Sequence, residues 1–437
     1  MINFLENIKK SRIKKNISGN TLHVFCLFLI QLFHLPLMIY LWGIEKTGLW
    51  IYLLAIPNLL SFWKLNFSEA SKQELILKKF LNKNEIYSIS FLLTILTILF
   101  FAIIYFTVNL KFIHLFEIFR NIEINNYNWI LILIFASFSI DLITNNFLTI
   151  SQYTGKIYRT QILVSIFTVM EKIFIPFIGF FTEQLFYAAI YLLLVKMIKY
   201  SSSIYIMKKY TISLSLNFKN LNRNKINDIF KKSTSFYFND LSNVINVSGF
   251  IYFIGYFFVA EVVTMITALQ TLFKFLILWI YGIFDNVLRY EFANFYKNKQ
   301  FLKIIKLYKY QKNLLYIILL LFFVMTYLVG KNIFDIWTGY IFIYKINLIY
   351  LVMIESIIFL LGYNQIILLY SLNRLKKISF YGLIINVLVL IILFSFESTR
   401  VNIETIYYVL IFKSLMILFI NIIFNYKFTQ LLLLKND

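Results

Sequence analysis

Residues 45–70 read EKTGLWIYLLAIPNLLSFWKLNFSEA. The stretch is apolar enough for lipid, yet it holds Pro57, Asn58, Trp63 and Lys64, and acids stand near both ends. A proline inside a spanning helix removes a backbone hydrogen bond and bends the axis. The carbonyl it frees is tolerated only against protein or a wet cavity. A helix both greasy and interrupted therefore suits the lining of a cavity in a membrane transporter.

The rest of the chain agrees. Of 437 residues, 60% are hydrophobic and 14% charged, with a mean hydropathy of +0.77. Soluble domains sit near half apolar and about a quarter charged. A spanning helix takes about 20 mostly apolar residues. That length predicts twelve spans: 20–42, 47–66, 86–108, 128–150, 161–181, 184–206, 233–258, 262–285, 313–333, 344–370, 377–396 and 403–427. The basic start, Lys9 to Lys15, precedes a run from Thr21 to Trp42 that is long enough to span, so no cleavable signal peptide is expected.

The net charge of +22 would suggest nucleic acid in a soluble protein. In a membrane protein it reports orientation, and no nucleic-acid partner is expected. With both termini inside, 31 of the 42 Lys and Arg fall in inside segments, 6 in outside segments and 5 within spans. Such an excess over short loops marks the cytoplasmic side. No outside loop is long. The longest inside linker is polar and lies at the midpoint, which divides the chain into a six-helix bundle at 1–207, a linker at 208–232 and a second bundle at 233–437.

The halves resemble each other. A shift of 216 residues pairs Glu45 with Glu261, Trp63 with Trp279, Glu69 with Asp285, and Asn82-Lys83 with Asn298-Lys299. Equivalent helices keep their orientation at this offset, which predicts a parallel pseudo-repeat about an axis along the membrane normal. The expected fold is an all-α integral membrane protein of about twelve helices in two six-helix bundles.

Ionisable groups inside a bilayer are costly and usually face a polar interior. Lys274 lies mid-span in TLFKFLILW and, at the same offset, opposite Asn58. It is either a structural cation paired to an acid or a contact for an anionic substrate. FNDLSNVINVSG (238–249) sets Asn239, Ser242 and Asn246 at helical spacing, with Asp240 and Asn243 alongside. Ser137, Asp141 and Asn145 recur every fourth residue on one face. Gln31 and His34 share a face of the first span, where a lone histidine is more often a packing residue than a proton carrier. Glu171, Lys172, Glu355 and Lys413 stand in other spans, each a possible half of a buried pair.

Cys26 is the single cysteine and His23, His34 and His114 lack ligand spacing, so neither a disulfide within the chain nor a metal site is expected. There is no P-loop, no Gly-rich phosphate cradle and no Gly-x-Ser-x-Gly. No catalytic residue and no cofactor are expected, and ATP-driven transport by this chain alone is disfavoured.

Gly48-Leu49-Trp50, the helix with AIPNLLSF and the basic loop after it resemble the first helical hairpin of bacterial polysaccharide flippases. These belong to the multidrug/oligosaccharidyl-lipid/polysaccharide exporter superfamily. FVAEVVTMITALQTLFKFLILWIYGIFDNVLRYEFANFYKNKQ (258–300) resembles the family too. Where the family often carries Asp-Leu-Gly, this chain has Lys64-Leu65-Asn66. The resemblance implies a central cavity lined mainly by helices one, two, seven and eight. Its candidate lining residues are Gln31, His34, Asn58, Asp240, Asn243 and Lys274. It implies an O-antigen or related polyprenyl-diphosphate-linked oligosaccharide as substrate, turned from the cytoplasmic to the periplasmic leaflet of the bacterial inner membrane by alternating access. Membrane lipids and a glycan polymerase are candidate partners. Asp240, Glu355 and Asp141 are candidate sites for a coupling proton or Na⁺.

Two rivals remain. A drug or cation antiporter of the same superfamily would want a net acidic cavity, which mid-span Lys274 and Lys413 oppose. A membrane glycan polymerase or glycosyltransferase would want a sizeable outside loop.

Overall fold

A computed structural model describes residues 12–60, 67–77, 83–112, 127–152, 157–210, 223–372, 376–395 and 402–434. Among these there is no strand. In hydrocarbon no water satisfies backbone groups, so a chain this apolar must pair them within helices.

The chain divides into two compact units, Met1–Val244 and Ile245–Asp437. The first contains α1 (Arg12–Leu60), α2 (Phe67–Leu77), α3 (Lys83–Phe112), α4 (Tyr127–Ser151), α5 (Ile157–Thr182), α6 (Leu185–Tyr210) and α7 (Arg223–Val244). Here α1 packs on α5, α4 on α6, and α2 on α3, α4 and α7. The second contains a π-helical turn (Ile245–Gly249), α8 (Phe250–Phe257), α9 (Ala260–Gln270), a second π turn (Thr271–Phe275), α10 (Leu276–Lys297), α11 (Phe301–Thr338), α12 (Ile346–Ser371), α13 (Lys376–Ser395) and α14 (Ile403–Leu434). Its centre is α12 against α14, with α10 and α11 packed on α12 and α13 on α14. In the first unit α7, which follows the polar linker, packs on α2.

Among the described residues ten helices are long and apolar enough to cross a membrane, and Leu241–Phe257 is a shorter apolar run. One of the ten, Thr21–Ala55, is broken at Gly43 and is two spans in sequence. The count thereby reaches the twelve expected. The helix runs through Pro57 to Leu60. Gly43 carries φ 78° and ψ 172°, a region only glycine enters freely. Thr47 Oγ1 donates to the Gly43 carbonyl at 2.7 Å, and the Trp42 and Trp50 rings meet edge to face across the break at 5.7 Å.

Close approach between α1 and α5 depends on small residues. A Cβ on Gly179 would come within 2.4 Å of the Trp42 indole. That indole donates Nε1–H to the Pro176 carbonyl at 2.7 Å. On the far side of many helices, large apolar side chains are bare. Leu320, Leu321 and Leu328 of α11 are more than half exposed. In water such a face would aggregate; in a bilayer it meets acyl chains.

Candidate functional site

The first unit carries a charge network across three helices. Lys199 of α6 donates to Asp141 of α4 at 2.6 Å. Lys196, one turn earlier, bonds Glu171 of α5 at 2.6 Å and lies 3.6 Å from Asp141. Asn145 Nδ2 donates to the other Asp141 oxygen at 3.1 Å, so the expected row of every fourth residue on α4 does share a face. Glu171 turns to Lys196 although Lys172 is its chain neighbour, because neighbours on a helix point about 100° apart. Asp141 is therefore matched by two ammonium groups.

His34 has a different task. Its Nδ1 lies 2.6 Å from the carbonyl oxygen of Lys172. A carbonyl only accepts, so Nδ1 carries the hydrogen. Pro176 is four residues on and has no N–H to give that carbonyl. His34 supplies the missing bond, the packing role favoured for it from sequence. Replacing His34 by Phe leaves the carbonyl unpaired and is expected to cost about 1–3 kcal/mol. Pro176→Ala in that background restores a backbone donor and should recover part of the loss, read by thermal unfolding of the two variants. His23 makes a comparable contact: Ser165 Oγ donates to Gln161 O, and His23 Nδ1 sits 2.8 Å from that hydroxyl.

The second unit has its own cluster. Lys274 lies in the π turn Thr271–Phe275 and Glu355 on α12, and their Nζ and Oε1 are 2.9 Å apart. Both are almost wholly buried, with side chains 5% and 1% exposed. Ser414 Oγ of α14 donates to the same Glu355 oxygen at 3.1 Å, and the Lys274 ammonium lies 4.7 Å from the centre of the Phe359 ring. Next to Ser414, Lys413 donates to Asn246 Oδ1 in the other π turn. A π turn holds one residue more than an α turn and often marks functional positions.

Of the residues expected to line a cavity, Lys274 is thus committed to an ion pair. Glu355, a candidate coupling acid, is its partner. Asp141 is likewise held, by lysines. Gln31 is half-buried on α1 and Asn243 is exposed in the last turn of α7. The side chains of Asn58 and Asp240 lie outside the described residues.

Other polar residues escaped the sequence reading. Asn146 clasps α3 to α4 by donating to the Ser90 carbonyl at 3.1 Å and to Thr94 Oγ1 at 2.5 Å. In the second unit Gln311 donates to the Tyr281 hydroxyl at 2.7 Å and to Asn364 at 2.8 Å. Asn425 donates to Tyr308 and to Gln365, at 2.5 and 2.7 Å. These are interhelical bonds of the kind that hold bundles together in lipid. Arg289, on α10 beyond its apolar part, donates to the Tyr363 hydroxyl at 2.7 Å and stacks on Tyr370 with 3.9 Å to the ring centre. Among the described residues no group of three His, Cys, Asp or Glu is placed to hold a metal ion.

No protein-family profile and no curated protein matches the sequence. Solved structures do match in shape. A multidrug resistance MATE family transporter of the MOP superfamily, in an outward-facing conformation, superposes with a TM-score of 0.65 at 13% identity, covering 97% of both chains. The bent form of the Vibrio cholerae MATE transporter VcmN gives 0.67 at 12% identity, covering 97% of this chain and 98% of that one. A MOP superfamily transporter from Pyrococcus furiosus, described as having a binding pocket of reverse polarity that suggests a different function, gives 0.63 at 12% identity over 97% of both. The chain has the MATE-like fold of about twelve spanning helices seen in MOP superfamily transporters.

Proposed function

We propose that this multi-pass membrane protein carries an anionic amphipathic substrate. Its best candidate is a polyprenyl-diphosphate-linked oligosaccharide of the O-antigen type, moved from the cytoplasmic to the periplasmic leaflet of a bacterial inner membrane. One observation carries the reading. Buried or half-buried near the middle of the described spans lie lysines 172, 196, 199, 274 and 413, while the mid-span acids Asp141, Glu171 and Glu355 are each held by a lysine. A carrier of cationic drugs needs a carboxylate free for its cargo; a carrier of diphosphate needs cations to spare. The Pyrococcus furiosus transporter shows that reversed pocket polarity occurs on this fold.

The drug or cation antiporter remains the second reading, favoured by the multidrug resistance transporters among the structural relatives. The two separate in one experiment. Expressed in a flippase-deficient strain that makes a lipid-linked unit, the chain is expected to restore surface glycan. In a drug-sensitive strain it should leave susceptibility unchanged. Raised drug resistance without glycan export would favour the antiporter. Alternating access would come from rocking of one six-helix half against the other. A coupling proton or Na⁺ would have to use an acid not already matched by lysine; Asp240 is the candidate.

A further inference from the structure

The charges of the second unit do not balance. Lys274 and Glu355 neutralise each other. Lys413, 3% exposed, has no carboxylate within ion-pair distance among the described residues. Its ammonium, with three hydrogens to give, donates to the single amide oxygen of Asn246. Glu355 attracts it from a distance and Lys274 repels it. A buried charge so poorly matched is expensive in a low-dielectric interior.

A pocket opens against this lysine. Asn246, Asn386 and Lys413 supply its polar wall, and Val389, Leu393 and Leu410 part of the apolar remainder. Asn386 is itself 3% exposed. The free volume is about 10 Å³, enough for the centre of roughly one water-sized body. Surplus positive charge, amide groups and room for one small body converge on the same point.

We propose that this pocket binds a single small monovalent anion of halide size, held by the Lys413 ammonium beside the Asn246 amide. The anion neutralises the odd lysine and leaves the Lys274–Glu355 pair intact. A metal cation does not suit a site whose nearest charge is an ammonium, and a diphosphate is too large. The site lies within one unit and does not depend on what the protein transports.

The test uses the purified full chain in detergent, at fixed pH and sodium concentration, with chloride or bromide set against gluconate. Chloride and bromide are expected to raise the unfolding midpoint saturably, by roughly 2–4 °C, and gluconate to leave it unchanged. Lys413→Gln keeps a side chain able to bond Asn246 and should abolish the halide response. Asn246→Asp, a second variant in case the first fails to fold, gives Lys413 its own carboxylate in place of the amide oxygen it now contacts and should also abolish the response. A wild-type midpoint equal in chloride and gluconate overturns the proposal, as does a Lys413→Gln response equal to wild type. A midpoint that follows pH and ignores halide also overturns it, in favour of proton loss from Lys413.

Discussion

Lys274→Met alone is expected to destabilise the protein by about 3–5 kcal/mol, and Lys274→Met combined with Glu355→Leu to recover most of that loss. The reasoning lies in the surroundings of Glu355. Its side chain is 1% exposed and its close partners are Lys274 and the Ser414 hydroxyl. Removing the ammonium leaves a carboxylate in a low-dielectric core with one neutral donor. Removing both charges replaces the pair with apolar volume, which such interiors tolerate well. Midpoints of thermal unfolding for the two singles and the double give the coupling directly. A double variant as unstable as the singles would show that the pair is not the source of the cost. The same series informs the transport reading. If Lys274 meets substrate as well as Glu355, the double variant should be stable and inactive; if it is structural only, stability and export should return together.

The second large effect is expected at Asp141. This carboxylate binds Lys199 at 2.6 Å and approaches Lys196 at 3.6 Å. Asp141→Asn keeps the shape and removes the charge. Lys196 retains Glu171, but Lys199, 7% exposed, loses its only ion-pair partner among the described residues. The cost is expected at about 3 kcal/mol, larger than for Glu171→Gln, after which Lys196 still has Asp141. Lys199→Met in the Asp141→Asn background should restore part of it. Unfolding midpoints of the three variants check the order, and Glu171→Gln equal to or worse than Asp141→Asn would contradict it.

Much of the architecture was readable because lipid imposes it. The apolar run length set the spans, and the Lys and Arg distribution suggested their orientation. What escaped was whatever depends on two distant segments. Lys274 and Glu355 stand 81 residues apart and Asp141 and Lys199 stand 58 apart. Each was visible as an intramembrane charge, yet nothing local names its partner. The row Ser137, Asp141, Asn145 was legible because a helix fixes its own spacing, and Asn145 does reach Asp141. Pro176 passed unremarked in the sequence, and that His34 bonds the carbonyl it leaves without a donor could only be seen in three dimensions. Pro57 drew attention to the second span, while the turn between the first two came from Gly43, whose φ is invisible in a string of letters.

The two π turns have a mechanical consequence. A widened turn has a weaker backbone ladder than the α-helix on either side, so a bending load on these spans concentrates at Ile245–Gly249 and Thr271–Phe275. Each of these compliant joints is pinned by a lysine contact, Asn246 to Lys413 in one and Lys274 to Glu355 in the other. Flexing either joint therefore drags a charged contact with it, so the stiffness of these spans is set by electrostatics as much as by packing.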